Sequence, residues 1–212
     1  MARIGYTMMT EQAGPRELVE HVVGAEEAGF GFSVIPDHYF PWLASQGHAP
    51  HAWAVLGAAA QATSRIPLMT YVTCPTTRYH PVVVAQQAAT VQLLSQGRFR
   101  LGLGSGENLN EHVVGGGWPS PVVRFRWFGL GWQVNAELPH DGSFAAASRS
   151  VSKDEVAGGI PCGDRVEDFV AAVRPYAEAG FDEIALVQIG GGRQEPFLNW
   201  ARNELLPALR EL

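Results

Sequence analysis

Residues 66–104 read IPLMTYVTCPTTRYHPVVVAQQAATVQLLSQGRFRLGLG. Ile66–Val72 is rich in β-branched and aromatic side chains, which predicts a strand. Pro81–Gln96 begins at a proline and stops at Gly97, the punctuation of a helix. Arg100–Gly104, with Leu101 and Leu103, predicts the next strand. A strand, a crossover helix and a second strand form a right-handed βαβ unit, and such units build a parallel sheet.

The same rhythm extends in both directions. Upstream, Arg3–Met8 alternates Ile4, Tyr6 and Met8 as a strand does. Pro15 opens a helix with Leu18, Val19, Val22, Val23 and Ala25 at helical spacing, and Gly29 closes it. Phe32–Pro36 is a short apolar strand and His51–Thr63 an Ala-rich helix. Downstream, Val166–Ala179 reads as a helix closed by Gly180, Glu183–Ile189 as a strand and Glu195–Leu212 as an amphipathic helix. Gly115–Gly163 breaks the rhythm and predicts no strand. About five strands result, whereas a closed eight-stranded barrel usually takes roughly 250 residues. The chain has 212. The expected fold is one α/β domain over residues 1–212, a parallel βα fold derived from a TIM barrel but incomplete. A compact open α/β sheet is the other arrangement the count allows.

Composition excludes several function classes. With 46% hydrophobic and 17% charged residues, the chain reads as an ordinary soluble domain. It lacks an apolar run of roughly 20 residues, so no membrane span is predicted. The start, MARIGYTMMT, has no basic region leading into an apolar one, and a cytoplasmic location is expected. The net charge is −6 and Lys153 is the single lysine, so nucleic acid is not an expected partner. Cys74 and Cys162 are not expected to form a disulfide. His48 and His51 flank Pro50 with no thiol or carboxylate at ligand spacing, so no metal is expected there.

In parallel α/β folds, functional residues collect after the carboxyl ends of strands. Asp37, His38 and Trp42 follow the second strand. Thr73, Cys74 and Thr76 follow the third. Gly104-Ser105-Gly106-Glu107 and Asn110 follow the fourth, and Gln188 precedes Gly190-Gly191-Gly192 after the last. An Asp-His pair in such a place is also compatible with a turn and a helix cap. The alternating Gly102, Gly104 and Gly106 suit either tight packing or the approach of a flat ligand, and the full G-x-G-x-x-G dinucleotide fingerprint is missing. Cys74 has no partnered nucleophile arrangement. His38 suits proton transfer near neutral pH, and Glu107 offers a second proton carrier on the same rim.

The segments SVIPDHYFPW (33–42), the stretch from Tyr71 to Pro119 containing GRFRLGLGSGENLNEH (97–112), and the C-terminal stretch 160–212 resemble the luciferase-like superfamily. Within it they are most similar to the deazaflavin (coenzyme F420)-dependent oxidoreductases related to glucose-6-phosphate dehydrogenases. The resemblance implies a hydride-transferring enzyme acting on an alcohol or carbonyl of a small molecule. By position, it implies that His38 is the base for a substrate hydroxyl and Glu107 the acid beside the coenzyme ring. Trp42 would pack by the reacting centre. Asp37, Cys74, Ser105, Gly106 and Asn110 fall where the family contacts coenzyme, and a cis peptide at Tyr71-Val72 would place Val72 behind the ring.

One departure stands out. GGGWPSPVVR (115–124) runs directly into FRWFGLGWQVNAELP (125–139), which resembles a much later part of the family. An internal deletion near Arg124-Phe125 would remove about three βα units of roughly 30 residues each. It would take much of the phosphate-tail site with it, so a sugar-phosphate substrate is not expected. Two other readings remain: an FMN-dependent monooxygenase of the same superfamily, and a truncated non-catalytic binding or assembly relic. Exposed sheet edges would favour self-association, and a homodimer is expected.

Overall fold

A computed structural model describes residues 2–115, 141–149, 152, 154 and 163–212. The junction expected at Arg124-Phe125, Cys162 and most of the interval expected to lack strands lie outside the described residues.

Five parallel strands form one sheet: β1 (Arg3–Thr7), β2 (Phe32–Ile35), β3 (Leu68–Thr70), β4 (Phe99–Arg100) and β5 (Glu183–Leu186). Their spatial order is β4-β3-β2-β1-β5, with Tyr6 opposite Ser33, Leu68 opposite Phe99 and Ile4 opposite Ile184. The chain's last strand therefore lies beside its first, as in a barrel. Between the strands run α1 (Pro15–Ala28), α2 (Ala52–Ala62) and α3 (Pro81–Leu94). Beyond β4 come α4 (Asn108–Glu111), α5 (Asp141–Ser148), α6 (Val166–Glu178), α7 (Gln194–Trp200) and α8 (Leu206–Leu209). Neither α4 nor α5 was expected from the sequence. No described helix is long and apolar enough to cross a membrane.

Sequence punctuation sets the helix ends. In α1, Pro15 occupies the first turn, where its missing N–H costs nothing, and Glu17 accepts from the Gly14 N–H at 2.7 Å. Gly29 ends the helix at φ 93°, bonding back to Ala25 and Glu26. Leu18, Val22, Ala25 and Ala28 make its buried stripe. The expected C-terminal helix is present, with a π-helical turn at Ala201–Leu205 joining α7 to α8. Pro207 has no N–H to give and its ring crowds the preceding turn, and the wider turn just before it accommodates both.

All five strands are shorter than expected, and for β3 and β4 a side-chain exchange between them is the reason. The Thr70 hydroxyl donates to the Gly102 carbonyl and accepts from the Gly102 N–H, both at 2.9 Å. A side chain thus replaces the ladder where β3 and β4 would have continued, and pairing resumes only as a Thr73–Leu103 bridge. The Tyr71-Val72 peptide is cis, as expected.

Side chains alternate across the sheet. Ile4, Tyr6, Met8, Ile35, Leu68, Phe99 and Leu186 join Leu18, Val22, Leu56, Val91, Leu205 and Leu209 in the core under the helices. On the other face, a Cβ at Gly5 would lie 2.3 Å from the Phe32 ring, so only glycine lets β1 pass it. The sheet is curled. Arg100 on β4 and Arg3 on β1 both reach Oε1 of Glu183 on β5. A flat sheet would hold its two edge strands roughly 19 Å apart, beyond the joint reach of these side chains.

Candidate active site

The curl brings the strand exits onto one rim. At the β2 exit Asp37 is buried, and its carboxylate accepts from Thr73 Oγ1 at 2.8 Å, Arg78 Nη2 at 3.2 Å and Tyr79 OH at 3.2 Å. It caps no helix. It ties the β2 exit to the loop after β3, and this sets the direction in which His38 leaves the strand.

His38 is half-buried, and its Nδ1 makes a short hydrogen bond to Oε1 of Glu11. Its ring meets the Trp42 indole edge to face at 5.3 Å between centroids. Glu11 comes from the β1 exit and is 1% exposed. Burial pushes its carboxyl upward, but the hydrogen bond and charge of His38, together with local hydrogen bonds, outweigh this and hold it below the usual range. A buried carboxylate on Nδ1 fixes the tautomer and leaves Nε2 as the free basic nitrogen. Sequence reasoning missed Glu11. The signal was available: a lone acid in an apolar strand exit, MMTEQ.

On the β4 side, Glu107 precedes α4. Burial raises its carboxyl above the ordinary range, against the opposing pull of His38's charge and the Asn110 hydrogen bond. Asn110 Nδ2 donates to Glu107 Oε2 at 3.3 Å, while Asn110 Oδ1 accepts from the Tyr39 and Phe40 N–H groups at 2.7 and 3.1 Å. Asn110 is thus the joint between the His38 loop and the Glu107 helix.

The glycines sit where neighbouring side chains pack closely against the backbone. A Cβ at Gly104 would lie 2.2 Å from Val72 Cγ2, and one at Gly106 would lie 2.6 Å from Cys74 Sγ. Cys74 is buried, shares a hydrogen bond with the Thr76 hydroxyl at 2.8 Å, and has its thiol pushed up to about 11, chiefly by burial. Burial thus disfavours its thiolate at neutral pH. Val72, Leu103 and Ser105 are exposed beside these glycines. His51, weighed as a possible ligand, instead accepts from the Ala54 N–H at the start of α2 and meets Tyr79 OH at 3.2 Å.

The family model for luciferase-like monooxygenases matches residues 1–128. The chain belongs to the luciferase-like monooxygenase family. Among the relatives of this luciferase-like chain is an F420-dependent glucose-6-phosphate dehydrogenase of Amycolatopsis mediterranei (strain U-32), 49% identical over 126 residues, covering 59% of the chain and 38% of the relative. The corresponding enzyme of Nakamurella multipartita is 36% identical over 215 residues, covering 99% of the chain and 61% of the relative. The luciferase-like chain therefore spans less than two thirds of the length of these relatives. A solved F420-dependent secondary alcohol dehydrogenase, in complex with an F420-acetone adduct, superposes with a TM-score of 0.77 at 21% identity. That alignment covers 99% of the chain and 100% of the solved structure, and it shows the shared fold.

Proposed function

We propose that this luciferase-like chain is a coenzyme F420-dependent oxidoreductase, moving a hydride between the deazaflavin and a small alcohol or carbonyl substrate. The observation that carries this reading is the juxtaposition of His38, oriented by buried Glu11, with Glu107, whose carboxyl burial keeps easily protonated. Relatives named as F420-dependent dehydrogenases support the coenzyme.

The described residues fit such a group. Exposed Val72 and Leu103 offer an apolar face to a flat ring, and the exposed Ser105 hydroxyl offers a polar edge. Bound there, the deazaflavin supplies hydride acceptance and return. His38 Nε2 takes the proton of the substrate hydroxyl as the carbonyl forms, and gives it back in the reverse direction. Glu11 holds the ring in position and stabilises the imidazolium. Glu107 keeps an acidic proton on the coenzyme side, and Trp42 walls the reacting centre. Asp37, Cys74, Gly106 and Asn110 serve the coenzyme site by holding its loops, since the contacts described for them are internal.

Cytoplasmic residence and assembly as a homodimer belong to the same proposal. Neither α2 nor α3 carries a charged residue, which suits a face that meets its own copy. The deletion near Arg124-Phe125 is supported by the position of β5 beside β1, with β4 and β5 the sheet's edges among the described residues.

Titration with F420 and, separately, with FMN tests the coenzyme directly. Micromolar binding of F420 alone supports the proposal, and binding of FMN alone points to a monooxygenase instead. A second reading, a non-catalytic relic, is favoured by one observation: Leu101, Leu103, Val187 and Ile189 stand exposed at the two sheet edges. Tight F420 binding without turnover on any alcohol would favour it.

A further inference from the structure

Arg78 stands in the loop between β3 and α3, with its side chain 8% exposed. Toward the β2 exit, its Nη2 donates to the Asp37 carbonyl oxygen at 2.5 Å and to Asp37 Oδ1 at 3.2 Å, one residue before His38. Toward α4, its backbone N–H donates to Glu111 Oε2 at 2.8 Å and its Nε lies 3.5 Å from Glu111 Oε1. Glu111 sits one helical turn after Glu107, its N–H bonded to the Glu107 carbonyl at 3.0 Å. One guanidinium therefore stands between two buried carboxylates, each anchored beside a different proton carrier. Unscreened, those carboxylates repel; Asp37's charge adds to the burial that already raises Glu111. A planar fork can serve two directions at once, and a lysine ammonium cannot do so with the same geometry.

We propose that Arg78 is a positioning residue that fixes the His38 loop against the Glu107 helix, given His38 and Glu107 as the proton carriers proposed above. It touches neither of them. It acts through Asp37 and Glu111, and the same joint is crossed by the Tyr39 and Phe40 N–H groups on Asn110 Oδ1.

Those two amides report on the joint without any need for turnover. Native-state hydrogen exchange is measured on the full chain for wild type, R78K and, as a milder second variant, E111Q. The Met8 amide, bonded to the Val34 carbonyl at 2.9 Å, serves as the reference for the core. Tyr39 and Phe40 are expected to exchange at least about tenfold faster in both variants while Met8 is unchanged. Equal acceleration at all three amides in both variants, or no acceleration at Tyr39 and Phe40, overturns the proposal. With F420 and an alcohol, R78K is expected to lower kcat about tenfold or more, with the coenzyme Kd weakened by a clearly smaller factor. A wild-type chain that binds no F420 defeats the functional reading alone, and the exchange comparison still decides the role of Arg78.

Discussion

His38 Nδ1 and the Glu11 carboxylate, 27 residues apart in sequence, meet in a short hydrogen bond between the exits of β1 and β2. The bond joins a half-buried imidazole to a carboxylate enclosed by protein. It gives the proposed general base one defined tautomer and orientation, which an isolated histidine on a rim lacks.

Replacing Glu11 by Gln therefore lowers kcat by about ten- to hundredfold, with a much smaller change in coenzyme affinity. The same variant reports on stability. Glu11 is held below its ordinary carboxyl range in the fold, so its contribution is present above the unfolded value and is lost as pH falls. Tm measured across pH should place E11Q below wild type near neutrality, the two converging below about pH 4. A constant gap at all pH values would contradict the pairing.

Glu107 carries the opposite sign. Burial raises its carboxyl in the folded state, so its favourable contribution is complete below the unfolded value and is lost as pH rises through the folded one. E107Q should be more stable than wild type at about pH 8, with the advantage vanishing toward about pH 4. It should also turn over much more slowly. A variant that loses both stability and activity at high pH would mean that the ionised carboxylate is the form the fold favours.

Gly106 combines a backbone at φ 78° with a Cβ position 2.6 Å from Cys74 Sγ and 2.9 Å from Glu111 Cγ. G106A should cost about 2 kcal/mol or more, from left-handed strain plus overlap. Gly47 is the control: its φ is 84° but nothing lies within 4 Å of its Cβ position. G47A should cost only about 1 kcal/mol. Chemical denaturation of the two variants separates packing from backbone strain, and equal losses would remove the packing argument.

Much of this was legible in the sequence, because proline and glycine mark helix ends and β-branched runs mark strands. Parallel strands, α1, α2 and α3 follow from such local signals. Strand lengths did not, because the Thr70–Gly102 exchange that cuts β3 and β4 short joins residues far apart in the chain. The strand-exit rule put His38 and Glu107 on the rim of the proposed site from position alone. Glu11 stands at the β1 exit, where the same rule applies, whereas Arg78 and Glu111 escaped it, since their buried charges are recognisable only by the partners folding supplies. The short α4 was hidden for a similar reason. Its Asn110 is set by contacts to Tyr39 and Phe40, 71 and 70 residues away.

The most direct test is a single-turnover experiment in which the chain, in excess over oxidised F420, is mixed with small alcohols and the coenzyme's visible absorbance is followed. The account predicts bleaching by wild type, and at least about hundredfold slower bleaching by His38→Ala with coenzyme affinity preserved. Bleaching at equal rates by both proteins would contradict it.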